Sequence, residues 1–408
     1  MSSNVSKQRL WLICELYYPE VNATGHYITQ IGTGLADEFD VNVICGQPNY
    51  LSKGIRAPSR DNYKGVKIFR VWSTTLNKDV LIFRLINMIT IGASMFARCI
   101  WEFRRGDRVL VVTAPPSLPY TTALAALCKS AQYIVLLHDL YPDILVALGK
   151  TRRSSALVSL VERLNRWLYK HASRLIVVGR DMRERVARKA EGLDVPIIVI
   201  PNWSDLEGIE PSDKGSNKLL QNLGIQEKFV LMYAGNIGHP TDIETIVLAA
   251  DKVRDDSEIH FIFVGSGAKL GWLEREVAKR GLTNISILGQ RPREEQNEFL
   301  NACDVGLISL TDGMLGTAMP SRTYNILAAG KAIIALTEHG SELATVITEE
   351  RVGWYTPPGD PAALVELIES ARHDPELAEK GQLAREAAEQ KYSPSIAVDR
   401  YREVVRLR

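Results

Sequence analysis

The stretch MPSRTYNILAAGKAIIAL (319–336) sets a cation where a helix disfavours one. Pro320 or Ser321 marks a helix start and Ala-Ala-Gly its end, so Arg322 falls in the first turn, against the helix dipole. A nucleotide diphosphate held at that helix mouth would account for it, with the N–H groups near 321–324 pointing at the anion and Arg322 pairing with it. Asn325, one turn further on, offers a donor and an acceptor to a ribose diol. The plainer alternative is an ordinary surface arginine and a solvated asparagine.

Other candidates stand where apolar runs break into polar residues. LLHDLYPD puts His138 and Asp139 at the end of a buried run, where ligands of parallel sheets collect; the alternative is that Asp139 or Asp143 caps the next helix. YAGNIGHPTDIETIV (233–247) and FVGSGAKL (263–270) each read as strand, glycine loop and helix. Together, with Gly265 and Gly267 in the second, they could form a rim of backbone N–H groups suited to phosphates. Neither is a Walker loop, since the Lys-Ser/Thr pair is missing, and neither fits the dinucleotide fingerprint. In PEVNATG (19–25), Gly25 precedes a helix expected near His26 and permits close backbone approach. Asn202 in IVIPNWSD suits a hinge or cap as well as a ligand contact.

Positioning these residues takes two sheets. Apolar runs at 9–16, 41–46, 66–72, 108–114, 133–140, 174–179 and 197–202 alternate with helical stretches. A polar linker (204–224) then leads to a second series at 229–235, 259–265, 285–289, 305–310 and 332–337. Near-continuous apolar strands separated by helices indicate parallel sheets covered on both faces. The expected fold is α/β, two doubly wound Rossmann-like domains facing a cleft. The expected bounds are 1–203, 204–375, and terminal helices over 376–408, the last of them packing back on the N-terminal domain. Segment 79–108 is a long apolar helix carrying Arg84 and Arg98. Its longest charge-free run, 85–97, is too short for the roughly 20 residues of a spanning helix. It reads either as a core helix or as one lying against a bilayer with arginines on lipid phosphates.

The bulk numbers agree with a globular chain of two domains. The chain has 408 residues and a net charge of +1, but residues 1–200 hold 27 Lys and Arg against 16 Asp and Glu, and the remainder 22 against 32. Such a split suggests that the first half meets an anionic surface or substrate, or that the halves attract each other. No nucleic-acid module is present. Cys14, Cys45, Cys99, Cys128 and Cys303 are scattered singly, as free thiols in a reducing compartment are, with neither disulfide nor zinc spacing. The N-terminal apolar run is strand-sized, which suits a cytoplasmic protein.

Taken together, YYPEVNATG, GQPNYLSKG, PPSLP, HDLYPD, IPNWSD, YAGNIG, FVGSG, MPSRTYNILAAGKAII and VGWYTPPGDPAAL resemble the family-four retaining glycosyltransferases of the GT-B fold, of the bacterial capsule, O-antigen and exopolysaccharide type. The resemblance spans essentially the whole chain. It implies transfer of a sugar from a nucleotide-diphosphate donor on the C-terminal domain to a lipid-linked glycan or polysaccharide on the N-terminal domain. It also implies no metal or other cofactor, and a cytoplasmic enzyme peripheral to the inner face of the membrane through 79–108. By the same resemblance, His138 and Asp139 match the polar pair near the reacting carbon and Gly25 the loop approaching the donor phosphates. Gly265 and Gly267 match the nucleotide rim, Gln290 and Arg291 the resting place of the base, and Glu342 an acid at a helix start. Four charged positions of the family are replaced: two glutamates by Thr317 and Asn325, and the Arg and Lys of the diphosphate clamp by Asn236 and Thr241. Arg322, with His239 as a second candidate, could supply the missing positive charge. A GT-B nucleotide-sugar epimerase and a non-catalytic nucleotide-sugar binder are the alternatives.

Overall fold

Runs such as RVLVV and IHFIFV have no polar face to give to water, so they form strands covered on both sides. In the computed structural model every residue of those two strands is buried. The structure describes residues 7–20, 22–48, 56–76 and 80–406. Most of GQPNYLSKG, Val21 of PEVNATG and Asp79 lie outside the described residues. Two compact units emerge: residues 1–142, 152–201 and 395–408 form the first, and 143–151 with 202–394 the second.

The first unit contains, in chain order, β1 (Arg9–Ile13), α1 (Ala23–Leu35), β2 (Asp40–Cys45), β3 (Arg60–Tyr63), β4 (Val66–Arg70), α2 (Leu81–Glu102), β5 (Arg108–Val112), α3 (Leu118–Cys128) and β6 (Gln132–Leu137). After α4 (Asp143–Ala147), which belongs to the second unit, follow α5 (Ala156–His171), β7 (Arg174–Val177), α6 (Arg180–Lys189) and β8 (Ile197–Val199). The sheet runs β3-β4-β2-β1-β5-β6-β7-β8. Its pairings are parallel except that of β3 with β4. β3, sequence RDNY, has no apolar alternation and was not expected. A two-residue turn makes it, Lys64 at φ 48° and Gly65 at φ 84°, which folds the chain back onto β4.

The second unit contains α7 (Lys218–Leu223), β9 (Phe229–Ala234), α8 (Ile243–Lys252), β10 (Ile259–Val264), α9 (Leu270–Arg280), β11 (Ile285–Ile287), α10 (Gln296–Asn301), β12 (Val305–Ser309), α11 (Arg322–Ala328), β13 (Ala332–Leu336), α12 (Glu342–Glu350), β14 (Gly353–Thr356), α13 (Pro361–Arg372) and α14 (Leu377–Gln390). Its wholly parallel sheet is ordered β11-β10-β9-β12-β13-β14. Leu231, Phe261, Phe263 and Ile334 centre its core. Beyond α14 comes α15 (Pro394–Arg406).

The two terminal helices part company. α14 stays with the second unit: Gly381 lies so close to Gly330 that a side chain there would meet its carbonyl oxygen at 2.5 Å. Arg385 donates to the carbonyls of Ile209 and Ala328 at 2.9 and 2.8 Å. α15 belongs to the first unit, where Val398 fills the space a side chain at Gly34 would need. Arg402 donates to the Gly34 carbonyl at 2.9 Å, and Arg406 to Glu38 at 2.6 Å.

Candidate active site

Strand order in the second unit reverses between β9 and β12, and the carboxyl edge at such a reversal is where ligands of doubly wound sheets bind. The chain turns out of β9 at Gly235, φ 148°, whose N–H donates to the Val264 carbonyl at 2.8 Å. Glycine is needed in the next loop for closeness. A Cβ at Gly265 would lie 1.9 Å from the Gly235 carbonyl oxygen, and one at Gly267 would lie 2.4 Å from that of Ile237. The Ile237 N–H donates to the Ser266 carbonyl (2.9 Å), the Gly265 N–H to the Gly289 carbonyl (2.7 Å), and the Ser266 hydroxyl to Gln290 Oε1 (3.1 Å). Three successive loops are thus stacked backbone on backbone. The expected rim of N–H groups loses three members to this stacking, those of Gly235, Ile237 and Gly265.

Arg322 enters this edge from the far side of the reversal. Its guanidinium carbon lies 4.5 Å from the centroid of the buried Tyr233 ring. The bare Gly235 lets the plane lie close, since a Cβ there would stand 3.2 Å from Arg322 Cζ. Stacking on an aromatic face holds an arginine in one orientation. The guanidinium is half-buried, and its Nη1 is enclosed with no acceptor. A cationic N–H withdrawn from water and left unpaired is costly unless something arrives to accept it.

Around it the structure revises several expectations. α11 is only seven residues long and Ser321 makes no side-chain cap. The N–H groups of Thr323 and Tyr324 donate to the carbonyls of Pro320 and Ser321, so they do not point outward. Asn325 Oδ1 accepts the Asp205 N–H at 3.2 Å, which ties α11 to the segment entering the unit and engages one of the two lone pairs of that oxygen. Thr317 is buried with its hydroxyl on the Met314 carbonyl (2.8 Å), and the buried Thr241 hydroxyl is on that of Gly238 (2.7 Å). Asn236 and His239 are exposed in the loop after β9. Gln290 and Arg291 are exposed beyond β11, Arg291 paired with Glu295 at 2.9 Å. Asn202 is buried at the start of the second unit. Ser341, not Glu342, caps α12.

In the first unit the reversal falls between β1 and β5. Gly25 does not sit before the helix, which begins at Ala23, and its N–H donates to Asn22 Oδ1 at 2.9 Å. His138 and Asp139 follow β6 directly, their N–H groups aimed at Thr113 Oγ1 at 3.2 and 3.5 Å. Burial pushes the His138 imidazole down to about 4, so it is neutral at pH 7, and leaves its Nε2 unpartnered. Burial also pushes the Asp139 carboxyl up to about 6. The Tyr141 hydroxyl is pushed up to about 12 by burial, then by the Asp139 charge, against an opposing effect of Arg84. Tyr120 donates to Asn165 Oδ1 (2.6 Å), and Asn165 donates to the Tyr141 carbonyl (2.7 Å), fixing this shelf. Beside β1 and β5 a cavity of about 160 Å³ is lined by Glu15, Thr74, Arg84, Asn87 and Pro115.

The sequence reading missed Tyr233, Thr113 and this cavity. Tyr233 and Thr113 end unbroken apolar runs, where only the strand's periodicity is visible.

Two family models match the chain in succession. Residues 22–203 match the glycosyl transferase 4-like domain, and residues 216–390 match glycosyl transferases group 1. WbjE of Pseudomonas aeruginosa, named a probable glycosyltransferase, is 29% identical over 399 residues, 98% of both chains. WcaI of Escherichia coli K12, named for colanic acid biosynthesis, is 25% identical over 395 residues, 91% of this chain and 93% of that one. Among solved structures, sucrose-phosphate synthase from Thermosynechococcus elongatus superposes with a TM-score of 0.75 at 16% identity, covering 98% of each chain. HepE of Anabaena, solved with UDP-glucose, gives a TM-score of 0.72 at 15% identity, covering 97% of this chain and 99% of that one. With two doubly wound units and a matching family model on each, the chain belongs to the family-four glycosyltransferases of the GT-B fold.

Proposed function

We propose that this glycosyltransferase moves a hexosyl or N-acetylhexosaminyl residue, with retention of configuration, from a nucleotide-diphosphate sugar to a lipid-linked or polysaccharide acceptor in cell-surface polysaccharide biosynthesis. The second unit binds the donor. Arg322 carries this reading: a stacked guanidinium, one nitrogen enclosed and unpaired, at the carboxyl edge where the sheet reverses. A diphosphate oxygen is the acceptor that nitrogen lacks. As the bond from the anomeric carbon to the diphosphate oxygen breaks, negative charge grows on the leaving group, and a fixed cation there stabilises the transition state more than the bound donor. Binding of UDP-glucose by HepE supports a nucleotide sugar, and the name of WcaI supports a polysaccharide product.

The first unit takes the acceptor. Its cavity offers the Arg84 guanidinium, the Glu15 carboxylate, and the side chains of Thr74 and Asn87, a set suited to sugar hydroxyls and a phosphate. Neutral His138 can donate to or accept from a hydroxyl near the reacting carbon. Association with the inner membrane face runs through α2, whose buried stripe is Ile91, Met95 and Cys99 while Ile82, Phe83, Leu85 and Ile89 are exposed.

The test is a thermal-shift titration with UDP, GDP, dTDP and ADP and their common sugars. A ligand specific for the folded state raises stability by ~2.7 kcal/mol at a hundredfold excess over its dissociation constant. One nucleotide standing out in wild type, with the shift lost in Arg322→Ala, is the expected result. A second reading, a nucleotide-sugar binder without transfer, draws on Thr317, whose buried hydroxyl stands where the family has a glutamate. Donor binding with neither transfer nor slow donor hydrolysis would favour it.

A further inference from the structure

The charge asymmetry of the sequence has an address in the fold. Between 152 and 189, eleven Lys and Arg face only Glu162, Asp181 and Glu184, which gives +8 of the +11 carried by residues 1–200. This stretch is α5, β7 and α6. Arg174 is buried in the strand, whereas Arg163, Arg166 and Arg188 are exposed. Between the two helices lies an open groove of about 680 Å³, lined by Arg153, Arg163, Arg166, Arg185, Arg188 and Lys189 with one carboxylate, Glu162. That carboxylate is engaged by Lys189 at 2.7 Å.

α5 also carries an apolar stripe the fold does not use. Val158, Leu168 and Tyr169 face the core, whereas Leu157, Leu160 and Leu164, at helical spacing, are 58, 53 and 41% exposed. The exposure continues sideways. α3 packs against both α2 and α5 and presents Leu124 and Leu127 to solvent, and α2 follows with Leu85 and Ile89. Right-handed crossovers from β5 to β6 to β7 to β8 put α3, α5 and α6 on one face of the sheet. Exposed leucines on three adjacent helices, bordered by an arginine groove, therefore share that face.

We propose that the α5–α6 groove is a docking surface for an anionic bilayer, with lipid phosphates among its arginines and Leu157, Leu160 and Leu164 sunk at the headgroup boundary. This rests on the reading that the enzyme works at a membrane, and adds an electrostatic contact to the apolar one on α2. The combination selects the partner. A second copy pairing this surface with itself would set six cations against six. A nucleic acid would take the charges and leave the leucines in water. An anionic lipid surface satisfies both.

The experiment is co-sedimentation of the full chain with phosphatidylcholine vesicles, with and without about one third phosphatidylglycerol. Arg163→Gln, Arg166→Gln and Arg188→Gln are made together, beside the matching Arg→Lys triple and, separately, Leu85→Glu with Ile89→Glu. Wild type is expected to prefer the anionic vesicles. The Gln triple should lose about tenfold or more of that partition with its neutral-vesicle binding unchanged, and the Lys triple should keep most of it. Unchanged unfolding temperatures show that the exposed substitutions left the fold alone. A Gln triple that partitions like wild type, while the α2 variant is released, overturns the groove and leaves the membrane reading standing. Failure of wild type to bind either vesicle removes both. Tighter binding of a duplex oligonucleotide, lost in the Gln triple, makes the groove a nucleic-acid surface and overturns the proposal.

Discussion

Arg322 makes its contacts with Tyr233 and Gly235 through the guanidinium plane, and nothing in the described protein accepts from Nη1. Arg322→Ala should therefore leave folding nearly untouched and weaken nucleotide diphosphate and nucleotide sugar alike by ~1.5–3 kcal/mol, the range for hydrogen bonds to charged groups. Calorimetric titration reads it, and an unchanged affinity removes Arg322 from the site. His138→Ala should abolish transfer and spare donor affinity; retained turnover refutes its role. His138 and its neighbour also oppose each other in pH. The unfolded chain restores ordinary values, 6.5 for the imidazole and 3.8 for the carboxyl, against about 4 and about 6 in the fold. From pH 4 to 6.5 the unfolded chain holds more protons on His138, so that group adds stability as pH rises. From 3.8 to 6 the folded chain holds more on Asp139, so that group removes stability over nearly the same window. Asp139→Asn should unmask the first effect: its melting temperature climbs from pH 4 to 6.5 more steeply than that of wild type. Parallel curves would mean that Asp139 titrates no differently folded or unfolded. At this scale legibility was uneven. Arg322 stood out because its charge contradicts a helix dipole. The bond from the Asp205 N–H to Asn325 was not legible, because the two residues are 120 apart in the chain.

At the scale of elements, the apolar runs located every long strand, and the structure ends each one to three residues sooner. β3 and β14 were missed for different reasons. RDNY is a strand only because Lys64 and Gly65 turn it onto β4, and GWYT is short and half-buried. The glycines after β10 were recognised as special, but for the wrong force alone. Stacking of loops requires them whatever ligand binds. Gly265→Ala, at φ 145° and with a Cβ 1.9 Å from the Gly235 carbonyl, should cost about 3 kcal/mol in urea unfolding. A loss below about 0.5 kcal/mol, the scale of an ordinary surface substitution, would show that the two loops can part. The apolar α2 could not be assigned to core or surface from composition, since both need the same residues. With Leu85 at 43% and Ile89 at 69% exposure, replacing both by glutamate should release the protein from vesicles without lowering its melting temperature. Unfolding instead would make α2 a core helix.

At the scale of the whole molecule, chain order and spatial order disagree. The first unit is assembled from three pieces, and its last helix, α15, comes after the whole of the second unit. Pro394 after Ser393 revealed where that helix starts, and nothing in its composition revealed that Arg402 and Arg406 meet Asp37 and Glu38. Deleting 394–408 should therefore loosen the distant α1 and not the neighbouring α14, read as faster amide hydrogen exchange in residues 23–35. Faster exchange in α14 alone would reverse that assignment. The same arrangement has a consequence for synthesis. At roughly 5–20 residues per second, translating the stretch of about 190 residues from 202 to 394 takes on the order of ten to forty seconds. Throughout that interval the nascent first unit stands with one flank of α1 uncovered, its Gly34 groove empty of Val398. Ribosome speed across the second unit, set by codon usage or pausing, thus governs how long the first unit stays open to chaperones and to aggregation.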